Sequence, residues 1–249
     1  MTLANVCTGL CTSACSAKSS SGQQDSGGVQ LAPRNIWCVG RNYAEHAKEL
    51  GNPVNDEEPM IFLKAGSTIL QDGLPLPLPV WSQHVNHEIE MAVELGANLQ
   101  PVRVAVALDL TARDVQATLK ARQWPWTLAK SFPASSPCAP ATSCAGLDLS
   151  DLSLHLTVNG KTRQRGHTAD MLFSVPTLLH YILDRFPVMP GDVILTGTPA
   201  GCSMVVPGDV LVAELRTGPP GGEGEGAKEG RLLSRGAWDA VQGPALTQR

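Results

Sequence analysis

The sequence predicts a β-rich α+β fold. Short runs rich in Val, Ile and Leu recur between turn residues, only three segments carry helical periodicity, and Pro-Gly-Asp stands directly before two of the runs. With 249 residues the chain is long enough to bury a sizeable core as one domain. Aromatic residues make up only 4%, so aliphatic side chains must fill that core. A hydrophobic fraction of 43% against 17% charged excludes a disordered chain. A net charge of −4 and a pI near 5.8 argue against nucleic acid as the main partner. No run of about 18 apolar residues occurs, so no membrane span is expected.

Residues 1–33 are small and polar, with Lys18 and Asp25 as their only charges, and are expected to form a flexible leader. Their Ser content fits a transit peptide; the lack of Arg before Arg34 does not, so both a mitochondrial and a cytoplasmic location are open. Seven cysteines without a CxxC pair point to free thiols in a reducing compartment. Cys7, Cys11 and Cys15 suggest a metal or lipid site only by spacing, and the reading taken is a small-residue tail.

Strands are expected at Ile36–Val39, Met60–Leu63, Glu88–Leu95, Val102–Leu108, Leu152–Val158, Asp192–Thr196 and Asp209–Leu215. Asn159-Gly160 supplies a hairpin turn, since both residues tolerate positive φ. One helix is expected after Asn42, with Asn42 and Glu45 as a capping box and Gly51 at its close. A second covers 112–122. A third covers 174–184, with Val175, Leu178, Leu179 and Ile182 at helical spacing. From Gly218 onward a Gly/Pro/Glu-rich stretch reads as a solvated tail (218–249), with at most a short helix over 231–241. The folded domain is thus placed at 34–217.

Glu88-Ile89-Glu90 puts two carboxylates on one strand face, about 6.6–6.8 Å apart, with Ile89 toward the core. Alone, that pair reads as a solvent-facing edge. Asp109 changes the balance, because it ends the apolar run Val102–Leu108, where an unpaired carboxylate costs several kcal/mol. Asp109 either caps the next helix or, if Thr111 does so, is free to bind a cation. Three carboxylates would make an all-oxygen site suited to Mg²⁺, Mn²⁺ or Ca²⁺. His46 and Glu49 share a helix face and are either a base and its orienting carboxylate or an exposed pair without a role. Lys130, in the apolar stretch 126–132, either counters an oxyanion or lies on an exposed loop. The turn 196–201 is able to present hydroxyl and N–H groups to a carboxylate. His87 points away from Glu88 and Glu90, so no zinc site is expected there. No phosphate-loop, dinucleotide or nucleophilic-serine motif is present.

Val39-Gly40-Arg41-Asn42-Tyr43, Phe62-Leu63-Lys64, His87-Glu88-Ile89-Glu90, Asp109-Leu110-Thr111-Ala112-Arg113-Asp114-Val115-Gln116, Ala129-Lys130-Ser131-Phe132 and Leu195-Thr196-Gly197-Thr198-Pro199 together resemble the fumarylacetoacetate hydrolase family. They span nearly all of 36–215. The 124–127 run and the helix after Asn42 look most like its acylpyruvase and oxaloacetate decarboxylase branch. The resemblance implies a mixed β-roll with a short helical lid, usually a homodimer. It implies Mg²⁺ or Mn²⁺ on Glu88, Glu90 and Asp109, a water-activating dyad of His46 and Glu49, charge stabilisation by Lys130, and substrate contacts from Arg41, Gln116 and Thr198. The implied activity is hydrolysis of acylpyruvates to pyruvate and an acid, or decarboxylation of oxaloacetate, both through an enolate. A 2-oxo acid isomerase or hydratase is a further reading; His46 and Glu49 favour lytic chemistry over it.

Two departures from that family are expected to matter. The connection 97–101 is shorter by roughly ten residues, which would expose apolar sheet surface and loosen Asp109. The Gly/Pro-rich tail stands where a closing strand is usual, leaving a sheet edge unpaired. Both departures keep an alternative open: a metal-binding homologue with impaired catalysis that serves as a dimer partner or scaffold.

Overall fold

The computed structural model describes residues 28–49, 51, 54, 57–221 and 230–244. In chain order the strands of its first half are β1 (Asn35–Gly40), β2 (Met60–Ala65), β3 (Ile69–Gln71), β4 (Leu76–Leu78), β5 (Val85–Asn86), β6 (Ile89–Leu95), β7 (Pro101–Leu108) and β8 (Thr111–Ala112). Those of the second half are β9 (Ser136–Cys138), β10 (Thr142–Ser143), β11 (Leu152–Val158), β12 (Lys161–His167), β13 (Val193–Leu195), β14 (Met204–Val205), β15 (Val210–Thr217) and β16 (Leu232–Gln242). The helices are α1 (Ala44–Glu49), α2 (Arg113–Ala121), α3 (Thr127–Lys130) and α4 (Val175–Arg185).

The expected β-rich α+β class holds. A mixed eight-stranded sheet runs β2-β1-β13-β6-β7-β9-β3, with β10 beside β7; a five-stranded sheet runs β12-β11-β15-β16-β4; and β14, β5 and β8 form a third. Period-two alternation decides which residues meet between the large sheets. Ile89, Met91, Val93 and Leu95 of β6 and Val104, Val106 and Leu108 of β7 join Leu154, Leu156, Leu211, Leu215 and Trp238 in the main core. α4 adds Leu178 and Ile182 at the helical spacing the sequence predicts, and Ser174 caps it by accepting from the Thr177 N–H. The alternate residues Ile36, Cys38, Ala92, Ala105, Ala107 and Leu195 form a thinner cluster on the other face. Glu90 follows the same alternation as Ala92, and Asp109 the same as Ala105 and Ala107, so the carboxylates stand on that face.

Four expectations are corrected. The segment 231–241 is not a short helix in a solvated tail. It is β16, antiparallel to β15 and parallel to β4, and the folded unit therefore extends past 217. Its inward positions are Ser234, Gly236, Trp238 and Ala240, mostly small residues that give little hydropathy signal. A Cβ on Gly236 would lie 2.4 Å from the Trp238 ring, so this position needs glycine. The closing strand thus exists, and β15 is paired on both sides. The capping box is also absent: Asn42 turns inward, donating to the Phe173 and Thr196 carbonyls at 3.0 and 2.8 Å and accepting from the Phe173 N–H at 2.7 Å. Gly51 does close the helical turn, its N–H donating to the Lys48 carbonyl at 2.9 Å. Finally, the short 97–101 connection does not loosen Asp109. It closes a tight β6–β7 hairpin, and Asp109 is wholly buried, with its N–H on the Glu88 carbonyl at 2.8 Å.

Candidate functional site

β6 and β7 are neighbours in register, Glu90 opposite Ala107. Strand alternation therefore sends Glu88, Glu90 and Asp109 to the same face at one end of the sheet. All three are buried, and each brings a carboxylate oxygen within 4.8 Å of the others. Asp109 caps no helix. Ala112 takes the N-cap position of α2 without a side-chain bond, and Thr111 instead donates to Glu88 Oε1 at 3.0 Å.

Burying three carboxylates requires compensating charge. Lys130 Nζ, buried at the end of α3, lies 2.9 Å from Glu88 Oε2 and 2.5 Å from Asp109 Oδ2. Lys64 Nζ, fully buried, lies 2.7 Å from Asp109 Oδ1 and donates to the Ser135 carbonyl at 2.5 Å. Arg113 pairs with Glu88 Oε1. Burial works against ionisation of Glu88, but Lys130 and Arg113 outweigh it and pull its pKa down to about 2. Lys130 is likewise pulled down by burial, but Asp109 and Glu88 prevail and raise it above the ordinary lysine value. Glu90 forms no ion pair among the described residues, and Lys130 offsets its neighbours only in part. Its Oε2 accepts from the Gly197 N–H at 2.7 Å, while burial, Asp109 and Glu88 push its pKa well above the carboxylate range. A buried carboxylate crowded by two others is a position that a divalent cation would relieve. The all-oxygen donor set is the one Mg²⁺ and Mn²⁺ prefer, so the residues fit such an ion.

A narrow cleft opens beside the carboxylates and is lined by Arg41, His46, Glu88, Glu90, Arg113, Gln116, Lys120, Lys130 and Thr198 among others. Gln116 Oε1 accepts from Arg113 at 2.9 Å, and Thr198 Oγ1 accepts from Gln164 at 2.8 Å. Arg41 holds a positive φ of 59°, a conformation uncommon outside glycine and enriched at functional sites. Lys120 sits 5.0 Å over the Trp126 ring; burial and then Arg41, Arg113 and Lys130 lower its pKa. His46 is buried on α1, its Nδ1 3.5 Å from Glu49 Oε2. Burial lowers the His46 pKa despite the opposing pull of Glu88 and Glu49, so the ring is neutral near pH 7.

Of the predicted site residues, Arg41, His46, Glu88, Glu90, Gln116, Lys130 and Thr198 line one cleft, while Asp109 is buried beside Glu88 and Glu90 and Glu49 lies beside His46. The 196–201 turn differs from expectation. Its N–H groups at Gly197 and Gly201 serve Glu90 and Glu49 of the chain itself. A Cβ on Gly197, φ 96°, would lie 2.6 Å from the Asn42 Cβ, so glycine is required for this approach. His87 stays apart from the carboxylates, as predicted, between Gln164 at 2.9 Å and Ser203 at 2.7 Å. Sequence reasoning assigned no role to Lys64 or Arg113. Both lie in the quoted motifs, and a Lys inside the β2 apolar run was the available signal. Arg113 Nε is buried without a partner among the described residues.

The pattern described as fumarylacetoacetate (FAA) hydrolase C-terminal matches residues 35–232, and the chain belongs to the fumarylacetoacetate hydrolase family. Relatives include the human protein named oxaloacetate tautomerase FAHD1, mitochondrial, 40% identical over 193 residues, 73% of this chain and 87% of that one. The Arabidopsis thaliana protein of the same name is 44% identical over 191 residues, 72% of this chain and 85% of its own. Among solved structures, the Pseudomonas aeruginosa fumarylpyruvate hydrolase in complex with Mn²⁺ and pyruvate aligns with a TM-score of 0.73 at 28% identity, covering 84% of this chain and 90% of that one. The family is one of enzymes whose named members process small oxo acids.

Proposed function

We propose that the chain acts on a small 2-oxo acid with two carboxylates, oxaloacetate being the best fit, and generates its enolate with the help of Mg²⁺ or Mn²⁺ held by Glu88, Glu90 and Asp109. The observation that carries this reading is the pairing of a convergent buried carboxylate set with a cation-rich cleft wall. Arg113 and Lys130 are ion-paired to the carboxylates, whereas Arg41 and Lys120 have no ion pair among the described residues and face the cleft. The like charges that depress Lys120 would be relieved by an anionic substrate.

A divalent cation bound there would polarise the 2-oxo group as a Lewis acid. Lys130 counters the charge that develops on the enolate oxygen. Arg41, Gln116 and Thr198 orient the substrate oxygens. His46, neutral and without an Nε2 partner among the described residues, accepts the proton lost from the carbon beside the 2-oxo group and returns it to oxygen, which completes a keto–enol tautomerisation. The relatives' name favours that reaction. Acylpyruvate hydrolysis and oxaloacetate decarboxylation form the second reading, favoured by the His46–Glu49 pair, which is placed to activate water. The names of the same relatives make the mitochondrion the compartment to test, and a homodimer is the assembly to test with it.

The test follows oxaloacetate enol–keto exchange, pyruvate release from acetylpyruvate, and oxaloacetate loss, each with Mg²⁺ and with EDTA. Metal-dependent turnover in any arm identifies the reaction. No turnover in a folded sample that still binds Mn²⁺ would replace the proposal with the non-catalytic homologue.

A further inference from the structure

Cys202 lies behind the cleft with its sulfur against the lid dyad. Its Sγ is 3.7 Å from His46 Nδ1, and the same nitrogen is 3.5 Å from Glu49 Oε2. One ligand atom from each of the three residues lies within 4.8 Å of the other two. Zinc binds imidazole nitrogen at about 2.0–2.1 Å, carboxylate oxygen at about 2.0–2.2 Å and thiolate at about 2.3 Å. At tetrahedral angles those lengths separate nitrogen from oxygen by about 3.4 Å and nitrogen from sulfur by about 3.6 Å. Both observed separations match within the tolerance of such sites.

The surroundings hold the donors in place. Glu49 accepts from the Gly201 N–H with both oxygens, at 3.2 and 3.1 Å, and Gly201 precedes Cys202 in the chain. Gln164 Nε2, which donates to Thr198 Oγ1 at 2.8 Å and to the Pro199 carbonyl at 2.9 Å, packs 3.5 Å from Cys202 Sγ and so fixes the position of the sulfur. We propose that His46, Glu49 and Cys202 form a second, zinc-type metal site, with a water in the fourth position, that switches the lid base off. Its donor set of nitrogen, sulfur and oxygen selects Zn²⁺, while Glu88, Glu90 and Asp109 select a hard cation.

The chemistry of inhibition is balanced. Zn²⁺ takes the Nδ1 lone pair and displaces the thiol proton of Cys202 to solvent. The neutral imidazole must then carry its proton on Nε2, which leaves no lone pair to accept a proton from substrate or water. Only this inhibitory consequence rests on the proposed role of His46; metal binding does not.

The experiment uses the full chain carrying Cys7, Cys11 and Cys15→Ser, so that leader thiols do not compete, with saturating Mg²⁺. Co²⁺ is the spectroscopic probe and Zn²⁺ the inhibitor. The expected result is one Co²⁺ per chain with a thiolate-to-cobalt charge-transfer band, absent in Cys202→Ser and in His46→Ala. Zn²⁺ inhibits turnover of the parent, and Cys202→Ser keeps its uninhibited turnover while needing about tenfold to a hundredfold more Zn²⁺, the scale on which the surroundings of a metal set its affinity. A band that survives in Cys202→Ser overturns the site. Equal Zn²⁺ sensitivity in the two proteins overturns the switch, because zinc would then be displacing Mg²⁺. A Cys202-dependent band in a protein that turns over no oxo acid upholds the site and removes the proposed activity instead.

Discussion

Glu88, Glu90 and Asp109 stand at the ends of adjoining strands of an eight-stranded sheet and meet three buried or half-buried cations, whereas His46 and Glu49 stand on a six-residue helix. The first group is fixed by backbone register and by charge. The second depends on Asn42 and Gly201, which tie α1 to the Phe173 and Thr196 backbone and to the 196–201 turn. The same cleft therefore has a rigid charged wall and a lid whose positioning is local. Isolated short helices are marginal in water, so α1 owes its place to these contacts. Damage to the wall should cost both folding and ion binding. Damage to the lid should cost turnover alone.

Lys64→Met tests the wall most severely. It strips a fully buried cation from Asp109 and leaves the carboxylate with Lys130 alone, and the expected loss is about 3–5 kcal/mol of stability by denaturant unfolding. A loss below about 1 kcal/mol would mean that Asp109 is not held by charge.

Glu88→Gln keeps the shape and removes one charge. Turnover should fall on the order of a hundredfold to a thousandfold, the scale of one preorganised electrostatic group, and Mn²⁺ affinity should fall with it. Unchanged Mn²⁺ affinity by titration would remove Glu88 from the ion site.

His46→Gln should lower turnover by about a hundredfold, at the low end for a general base, and leave Mn²⁺ affinity and unfolding midpoint as in the parent. This is the sharpest contrast with Glu88→Gln, since one measurement moves and the other does not.

The pH profile gives the smallest effect. With His46 as the proposed base, its neutral form is the active one, and burial lowers its pKa, so kcat/KM should stay level as pH falls through about 6.5, the ordinary imidazole value, and decline only below it. Glu49 raises the His46 pKa, so Glu49→Gln should move that acid limb to still lower pH. A limb that moves up would place the two side chains in different roles.

Much of the wall was legible before any fold was known. Alternation alone sets Glu88 and Glu90 on one face, and the position of Asp109 at the end of an apolar run marks it as buried. The partners were less legible, because Lys64 lies 45 residues from Asp109 and Arg113 lies 25 from Glu88. No local pattern encodes those distances. The Asn42 capping box failed for a related reason: the side chain had a choice between local N–H groups and the Phe173 and Thr196 backbone, and tertiary contact won. β16 went unread because small inward residues carry its burial. Its partners, β15 and β4, make a strand of a segment that is weakly patterned alone.

The sequence by itself determined the β-rich class, the faces of the long strands, the apolar face of α4 and the carboxylates that converge at one end of the sheet, since each follows from short-range period and chemistry. Only the tertiary structure decided that β16 closes the sheet, that Lys64 and Arg113 balance the buried carboxylates, and that Cys202 meets His46. These are long-range juxtapositions, set by which faces pack once the two sheets meet, and the energy that fixes them does not exist until the chain has folded.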